Sequence, residues 1–386
     1  MSSTLAVAGL SARLMAETAA NDGFDVVALD LFGDVDTCAA ASRWFGIGEP
    51  AGLQIDGERV LSALAVLARQ GQATGWVAGS GFEGQPELLA RGAAVLPLIG
   101  TAPDAVARLR DPAPFFAFLA EHDIEHPPVR LTPADAGGAW LLKDLHGSGG
   151  WHIRHALPGQ PAALAPGHYL QREVPGQPMS ATFVANGVAN GVTTGNAVCL
   201  LGVNQQIVRA LGGLPHVFCG VIGPVPVAER VLRRLHAILQ TLVTGFALRG
   251  LASLDFLLDG ERVLVLEVNP RPPASMALYA GWAPMAAHVR ACLHAELPSA
   301  PAFAASATAV HGHEIVFARQ PLRLDAAAVR RLADRADVHD LPSAGQSFAA
   351  GQPLCSIEAG GSSADEVLAY LQQRREAVLH SLETGS

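Results

Sequence analysis

The sequence predicts a chain of mixed α/β and α+β class, and three observations carry that expectation. Short apolar runs alternate with helical spacing through the first hundred residues, the pattern of a parallel layer. A long polar–apolar alternation over 179–202, followed by an apolar strand pair over 251–269, reads as antiparallel structure. Beyond residue 306, repeated Gly and Pro mark the tight turns of a smaller β-rich segment.

Taken in order, TLAVAGL (4–10) reads as a buried strand, and a helix over 12–21 follows with Ser11 as its N-cap. DVVALDLF (25–32) is a second strand. A helix over 58–70, a strand near 75–78, a helix over 85–91 and a strand at AVLPLIG (94–100) continue the alternation. Gly9 and Asp30 sit as in dinucleotide-binding folds, but the turn reads GLSAR and lacks the GxGxxG fingerprint, which leaves an NAD(P)-dependent oxidoreductase as a distant alternative. A helical segment over 115–124 is broken by His126-Pro127-Pro128. Strands follow at 140–145 and 168–174, then the 179–202 meander with Asn-Gly turns at 186–187 and 190–191. A helix over 228–245, the strand pair, a linker at 298–306 and a terminal helix over 364–383 complete the chain. That last helix opens with Ser363 and Glu366 in capping-box positions and carries the stripe Val367, Leu371, Val378 and Leu382.

At 386 residues, with half of them apolar, the chain has material for two or three real cores. A net charge of −9 argues against a general nucleic-acid partner. The five cysteines are scattered and never spaced as CxxC, so neither a zinc site nor a disulfide frame is expected, and reduced thiols in a cytoplasm are. The N-terminus has no basic segment of a signal peptide, and no apolar run is long enough for a membrane span.

Among 26 basic residues Lys143 is the single lysine. Genome composition explains many arginines but not this survivor; a compact ammonium differs from a planar guanidinium where a phosphate oxygen must be met in a tight slot. Its strand leads into His146-Gly147-Ser148-Gly149-Gly150, a loop with little side-chain bulk whose backbone N–H groups can close on phosphate oxygens. The lysine precedes the glycines, so this is not a Walker A loop.

A second constellation is LASLDFLLDGERVLVLEVNPRPPAS (251–275). Glu267 and Asn269, two apart on a strand, project from one face, and Asp255 lies on the preceding strand. These hard oxygen donors in apolar surroundings suit Mg²⁺ bound with a nucleotide phosphate, since bare buried carboxylates are costly without a cation. The pairing makes a geometric demand. A turn centred on Asp259-Gly260 would leave Asp255 facing away from Glu267, so shared ligation requires a three- or five-residue loop or a compensating bulge.

Together the K…GSGG strand and loop, the DF twelve residues ahead of Glu267, and LEVNPRP resemble the ATP-grasp superfamily. GLSARLMAETA, VVALDLFGDVDT and DLP with PLCSIEAGG are similar to a narrower group, carboligases related to biotin carboxylase. The resemblance implies an ATP-grasp fold in three parts: a Rossmann-like pre-grasp domain over 1–110, a grasp domain over 111–297 with a flexible lid about 126–175, and a small C-terminal β-rich domain over 298–386. It implies that YLQREVPGQPMSATF is an adenine hinge, with Gln171, Arg172 and Val174 on the base and Glu173 on the ribose. It implies ATP with Mg²⁺ (or Mn²⁺) held by Asp255, Glu267 and Asn269, and Arg271 on the γ-phosphoryl group or an acyl phosphate, alongside Lys143. The activity implied is ligation of a small-molecule carboxylate to an amine by an ADP-forming enzyme, in a homodimer or a monomer. Relatives include tyramine–glutamate ligases and enzymes of methanofuran- and tetrahydromethanopterin-type one-carbon cofactor biosynthesis, which suggests glutamate addition.

Two positions depart from that pattern. Pro112 stands where many relatives carry a second lysine, with Arg108 or Arg110 as substitutes, and Ser253 stands where many carry an arginine. A catalytically silent ATP-binding module is therefore the alternative. Arg209 and His216, between hinge and metal strands, could face a carboxylate or amine, although such residues are more often structural.

Overall fold

The computed structural model describes residues 3–132, 139–156, 164–187, 197–299 and 309–383. The Asn-Gly turn at 190–191 and most of the 298–306 linker lie outside them. Three sheets position the site.

The first is parallel, in spatial order Arg43–Gly46, Asp25–Asp30, Thr4–Ala8, Gly75–Ala78. The strand expected at 94–100 is absent. A helix runs over Pro86–Val95 instead, and Leu98 makes only an isolated bridge to Trp76, because Pro97 has no N–H to give a ladder. The first helix starts at Arg13, and Ser11 does not cap it. Asp30 does, from across the sheet: its carboxylate accepts the Ala12 N–H (2.9 Å), and also those of Phe32, Gly33 and the Trp44 indole. Fully buried and holding four donors, Asp30 pins the GLSAR turn. It has no capacity left for a ribose, which removes the feature that favoured a dinucleotide cofactor.

The second sheet is antiparallel and small, in order Val129–Arg130, His168–Arg172, Trp140–Asp144, Ile153–His155. It carries the lysine strand beside the hinge strand.

The third has eight strands: Arg262–Asn269, Arg249–Asp259, Gln177–Asn186, Val198–Leu211, Leu214–Gly223, Val310–Phe317, Pro353–Gly361 and Val338–His339. Strand alternation divides its two faces. Leu254, Phe256, Val265, Ala181, Phe183 and Val203 lie on one face under the helix Glu229–Phe246, whose stripe Val231, Leu235, Ile238, Leu239, Leu242, Val243 and Phe246 is buried. Each such side chain contributes about 1.5–3 kcal/mol by leaving water. Asp255 and Leu257 consequently fall on the other face, toward the cavity described below.

The C-terminal segment packs Val316, Ile357, Val367, Leu371, Val378 and Leu382 into a core shared with Ile207, Val217, Cys219 and Ile222 of the central strands. It is joined to them by backbone as well: Val310–Phe317 pairs with Leu214–Gly223 and extends the central sheet. Turn composition alone could not reveal that ladder. The terminal helix spans Ala364–Glu383; Ser363 Oγ accepts the Glu366 N–H (3.2 Å), while Glu366 reaches Ser362 instead of closing a box on Ser363.

A buried histidine ties first segment to sheet. His288 Nδ1 accepts the Leu251 N–H (2.8 Å) and its Nε2–H donates to the Ile99 carbonyl (2.9 Å). Burial, opposed only in part by that carbonyl, drives its pKa down to about 4.

Candidate active site

A cavity of about 500 Å³ opens between the three sheets and brings together the two constellations that lie far apart in sequence. Its lining includes Lys143, Ser148, Gly149 and Gly150, the hinge Gln171–Val174, then Asp255, Glu267, Asn269 and Arg271. His146 and Gly147 are not part of it. His146 turns its Nδ1 to the Gly84 carbonyl (3.1 Å), and a Cβ at Gly147 would run into the His152 ring, so both residues shape the loop from behind.

The strands that carry Asp255 and Glu267 meet as shared ligation would require. Asp255 sits opposite Glu267, and Ser253 opposite Asn269. The connection is a two-residue loop, Gly260-Glu261, with Gly260 at φ 62°. Leu266 is the extra residue of a bulge that shifts the register between Asp255 and Phe256 and swings Glu267 onto the cavity face. Asn269 Nδ2 donates to Asp255 Oδ2 at 3.2 Å. Burial and the neighbouring Glu267 push the Asp255 carboxyl up to about 7; its hydrogen bond from Gln206 works the other way. Burial would raise Glu267 too, but Arg110, Lys143, His152 and Arg271 outweigh it and hold that carboxyl below its ordinary value.

Lys143 is 6 % exposed. Burial lowers its pKa, Glu267 opposes that, Arg110 adds to it, and Asp255 opposes it again. Arg110 is the cation that occupies the region vacated by Pro112. It closes the helix Pro103–Arg110, donates to the Leu145 and Gly147 carbonyls (2.7 Å each), and stands 3.5 Å from Glu267. Arg108 turns away, to the Gly245 carbonyl and the Phe246 ring. Sequence offered both arginines; only Arg110 reaches the site. Arg271 is ion-paired with buried Glu83 of the first segment, whose carboxyl is held below its usual range by Arg271 and Arg110 in spite of burial. Nothing in the sequence around Glu83 signals this partnership.

The glycine loop lies against the strand Leu214–Gly223. The Phe218 N–H donates to the Gly149 carbonyl (3.0 Å), and a Cβ at Gly150 (φ 80°) would collide with the His216 carbonyl. His216 lines the cavity, and its Nε2 contacts Glu173 at 2.9 Å, so that nitrogen is taken up by the hinge carboxylate. Arg209 is not free either: with Arg375 it neutralises the fully buried Glu314.

These residues fit a magnesium-bound nucleoside triphosphate. Gln171 Nε2 is a buried donor without a partner on the hinge wall, the glycine loop leaves a cradle for oxygens, and the two acids with Asn269 form a hard-oxygen set in which burial and Glu267 disfavour the charged form of Asp255.

The sequence profile of the ATP-grasp domain matches residues 112–275. No curated protein sequence matches the chain. Among solved structures, an L-amino acid ligase from Bacillus licheniformis is 14 % identical, with TM-score 0.69 over 96 % of each chain. The biotin carboxylase of Campylobacter jejuni, solved as a β-γ-ATP complex, is 14 % identical with TM-score 0.71 over 98 % of this chain and 95 % of that one. The biotin carboxylase domain of the Hydrogenobacter thermophilus 2-oxoglutarate carboxylase, a dimer with MgADP, ADP and bicarbonate, is 12 % identical with TM-score 0.69, covering 95 % of this chain and 88 % of that one. Residues 112–275 are thus an ATP-grasp domain, and the chain as a whole has the fold of the ATP-grasp superfamily.

Proposed function

We propose that the chain is an ADP-forming carboxylate–amine ligase. The observation that carries this reading is the convergence, in one cavity, of two acids and an amide on paired strands with Lys143, Arg110 and Arg271 around them. A dehydrogenase needs none of this charge pattern.

Gln171–Val174 would hold the base and ribose, and Lys143 with the Ser148–Gly150 backbone would hold phosphate oxygens. Asp255, Glu267 and Asn269 would hold Mg²⁺, with Mn²⁺ as a substitute; the ion neutralises charge on the terminal phosphates. Lys143, Arg110 and Arg271 would stabilise charge on the transferring group, Arg110 being fixed in advance by the Leu145 and Gly147 carbonyls and Arg271 by Glu83. A carboxylate oxygen attacks the γ-phosphorus and the bond to ADP breaks, giving an acyl phosphate. An amine nitrogen then attacks the acyl carbon, a C–N bond forms, and phosphate leaves. Glutamate addition in one-carbon cofactor biosynthesis, in a cytoplasm, is the narrower form of the proposal. No helix of the described residues is long and apolar enough to cross a membrane.

The test is ADP release from ATP and Mg²⁺ with pools of amino acids and amines, glutamate and tyramine first. Release that depends on both an acid and an amine is expected. ATP binding without release in any pool would establish the silent module instead.

A further inference from the structure

Beyond Arg271 the cavity continues over the sheet toward the C-terminal strands, outside the 112–275 domain. Gln206, hydrogen-bonded to Asp255, pairs across the sheet with Val221, which pairs with His313, and all three line the cavity. By strand spacing His313 stands about 10 Å from Gln206, Cα to Cα. A second tether brings its ring closer to the chemistry. His313 Nε2 lies 3.3 Å from the carbonyl of Ala274, three residues after Arg271. A carbonyl only accepts, so Nε2 carries the proton and Nδ1 is left with a bare lone pair. That nitrogen has no hydrogen-bond partner among the described residues. Of the other histidines on the lining, His216 is paired with Glu173, whereas His152, whose Nδ1 is also without a partner, sits beside the glycine loop and Lys143.

We propose that His313 receives the amine substrate: Nδ1 accepts an N–H of the neutral amine and turns the nitrogen lone pair toward the acyl carbon held beside Arg271. This rests on the ligase reading and adds the nucleophile's binding group to it. As the C–N bond forms, the acyl C–O bond breaks, the electron pair leaves with phosphate, and the departing phosphate takes the proton shed by nitrogen. A ring that stayed protonated could not accept this hydrogen bond. Burial, with Arg13 behind it, lowers the His313 pKa to about 4 against the opposing Ala274 carbonyl, Asp340 and Glu358, so the acceptor form persists at neutral pH.

Two measurements decide the matter. Hydroxylamine, small and strongly nucleophilic, traps acyl phosphates as hydroxamates without a dedicated amine site. In His313→Ala the ratio of amide to hydroxamate should fall about 10²-fold, the scale of a misplaced nucleophile. His313→Gln, which offers an N–H to Ala274 and an oxygen to the amine, should recover part of that ratio. An unchanged ratio in soluble His313→Ala, or equal loss in both variants, overturns the proposal. Independently, NMR of the wild-type protein with isotope-labelled histidine should show a bare Nδ1 at neutral pH whose resonance moves on addition of n-propylamine. A protonated Nδ1, or no response to the amine, overturns it without reference to turnover. Should no acid yield hydroxamate or amide in the wild type, the ligase reading fails, and the NMR result still decides whether His313 binds amines.

Discussion

The two ends of the cavity are built differently. At the end proposed to hold the nucleotide, most polar groups come from short local patterns, namely a lysine strand with its glycine loop, a hinge, and two strands joined by a tight turn, with Arg110, Glu83 and Gln206 brought in from elsewhere. At the opposite end the lining comes from Leu10, Ser11, Leu14 and Met15, from Ala274–Met276, and from His313, Asp340 and Ser356, the last three brought in by the C-terminal strands that join the central sheet. One end is encoded in contiguous words, the other in long-range contacts.

The largest effect that would break this contrast is at the nucleotide end. Glu267→Gln should cut acid- and amine-dependent ADP release by roughly 10³-fold, because the site loses a charge aimed at a cation. Near-normal release would show that the bulged strand is not where the metal sits. Next comes a latch beside the far end. Arg13, almost fully buried, donates to Asp340 (2.7 Å) and Glu17 (2.7 Å), while Asp36 accepts the Asp340 and Leu341 N–H groups. Arg13→Ala strands these carboxylates and should cost about 3 kcal/mol in urea unfolding. A loss below about 1 kcal/mol would mean the two segments are only loosely joined.

Lys143→Arg keeps the charge but not the shape, and should weaken ATP binding by about 10–100-fold by calorimetry. Wild-type affinity would reduce the lone lysine to an accident of composition. The smallest effect concerns pH. The His288 pKa is depressed in the folded state, so its stabilising neutral form is fully present above about 6.5 and is lost as pH falls toward 4. At pH 5.5 this group alone should cost about 1.4 kcal/mol. His288→Gln should flatten that part of the stability profile, measured by denaturation across the same range.

What could be read ahead of the coordinates follows the same division. The pairing of the acid-bearing strands was legible because Glu267 and Asn269 share a face by simple alternation, and the demand for a bulge or odd loop followed from counting. Which of the two occurs depends on the turn, set at Gly260-Glu261, and no local pattern near Leu266 announces the extra residue. Ser11 was a plausible cap by type, but Asp30 won through a contact across the sheet. Pro97 turned an apolar run into a near-strand. Arg110 was recognisable only as one of two candidates, and Glu83 not at all, since its value lies in Arg271, far along the chain. His313 had no sequence signature, because the tautomer that makes it useful is set by a carbonyl from another segment.

The union of the C-terminal strands with the central sheet also governs how this protein can be taken apart. Excising residues 112–275 as a free-standing fragment would strip the ladder from Gly220–Gly223 and expose that stretch of raw backbone edge, an invitation to aggregation. Exchanging the tail between relatives to alter substrate choice would have to preserve that seam strand for strand.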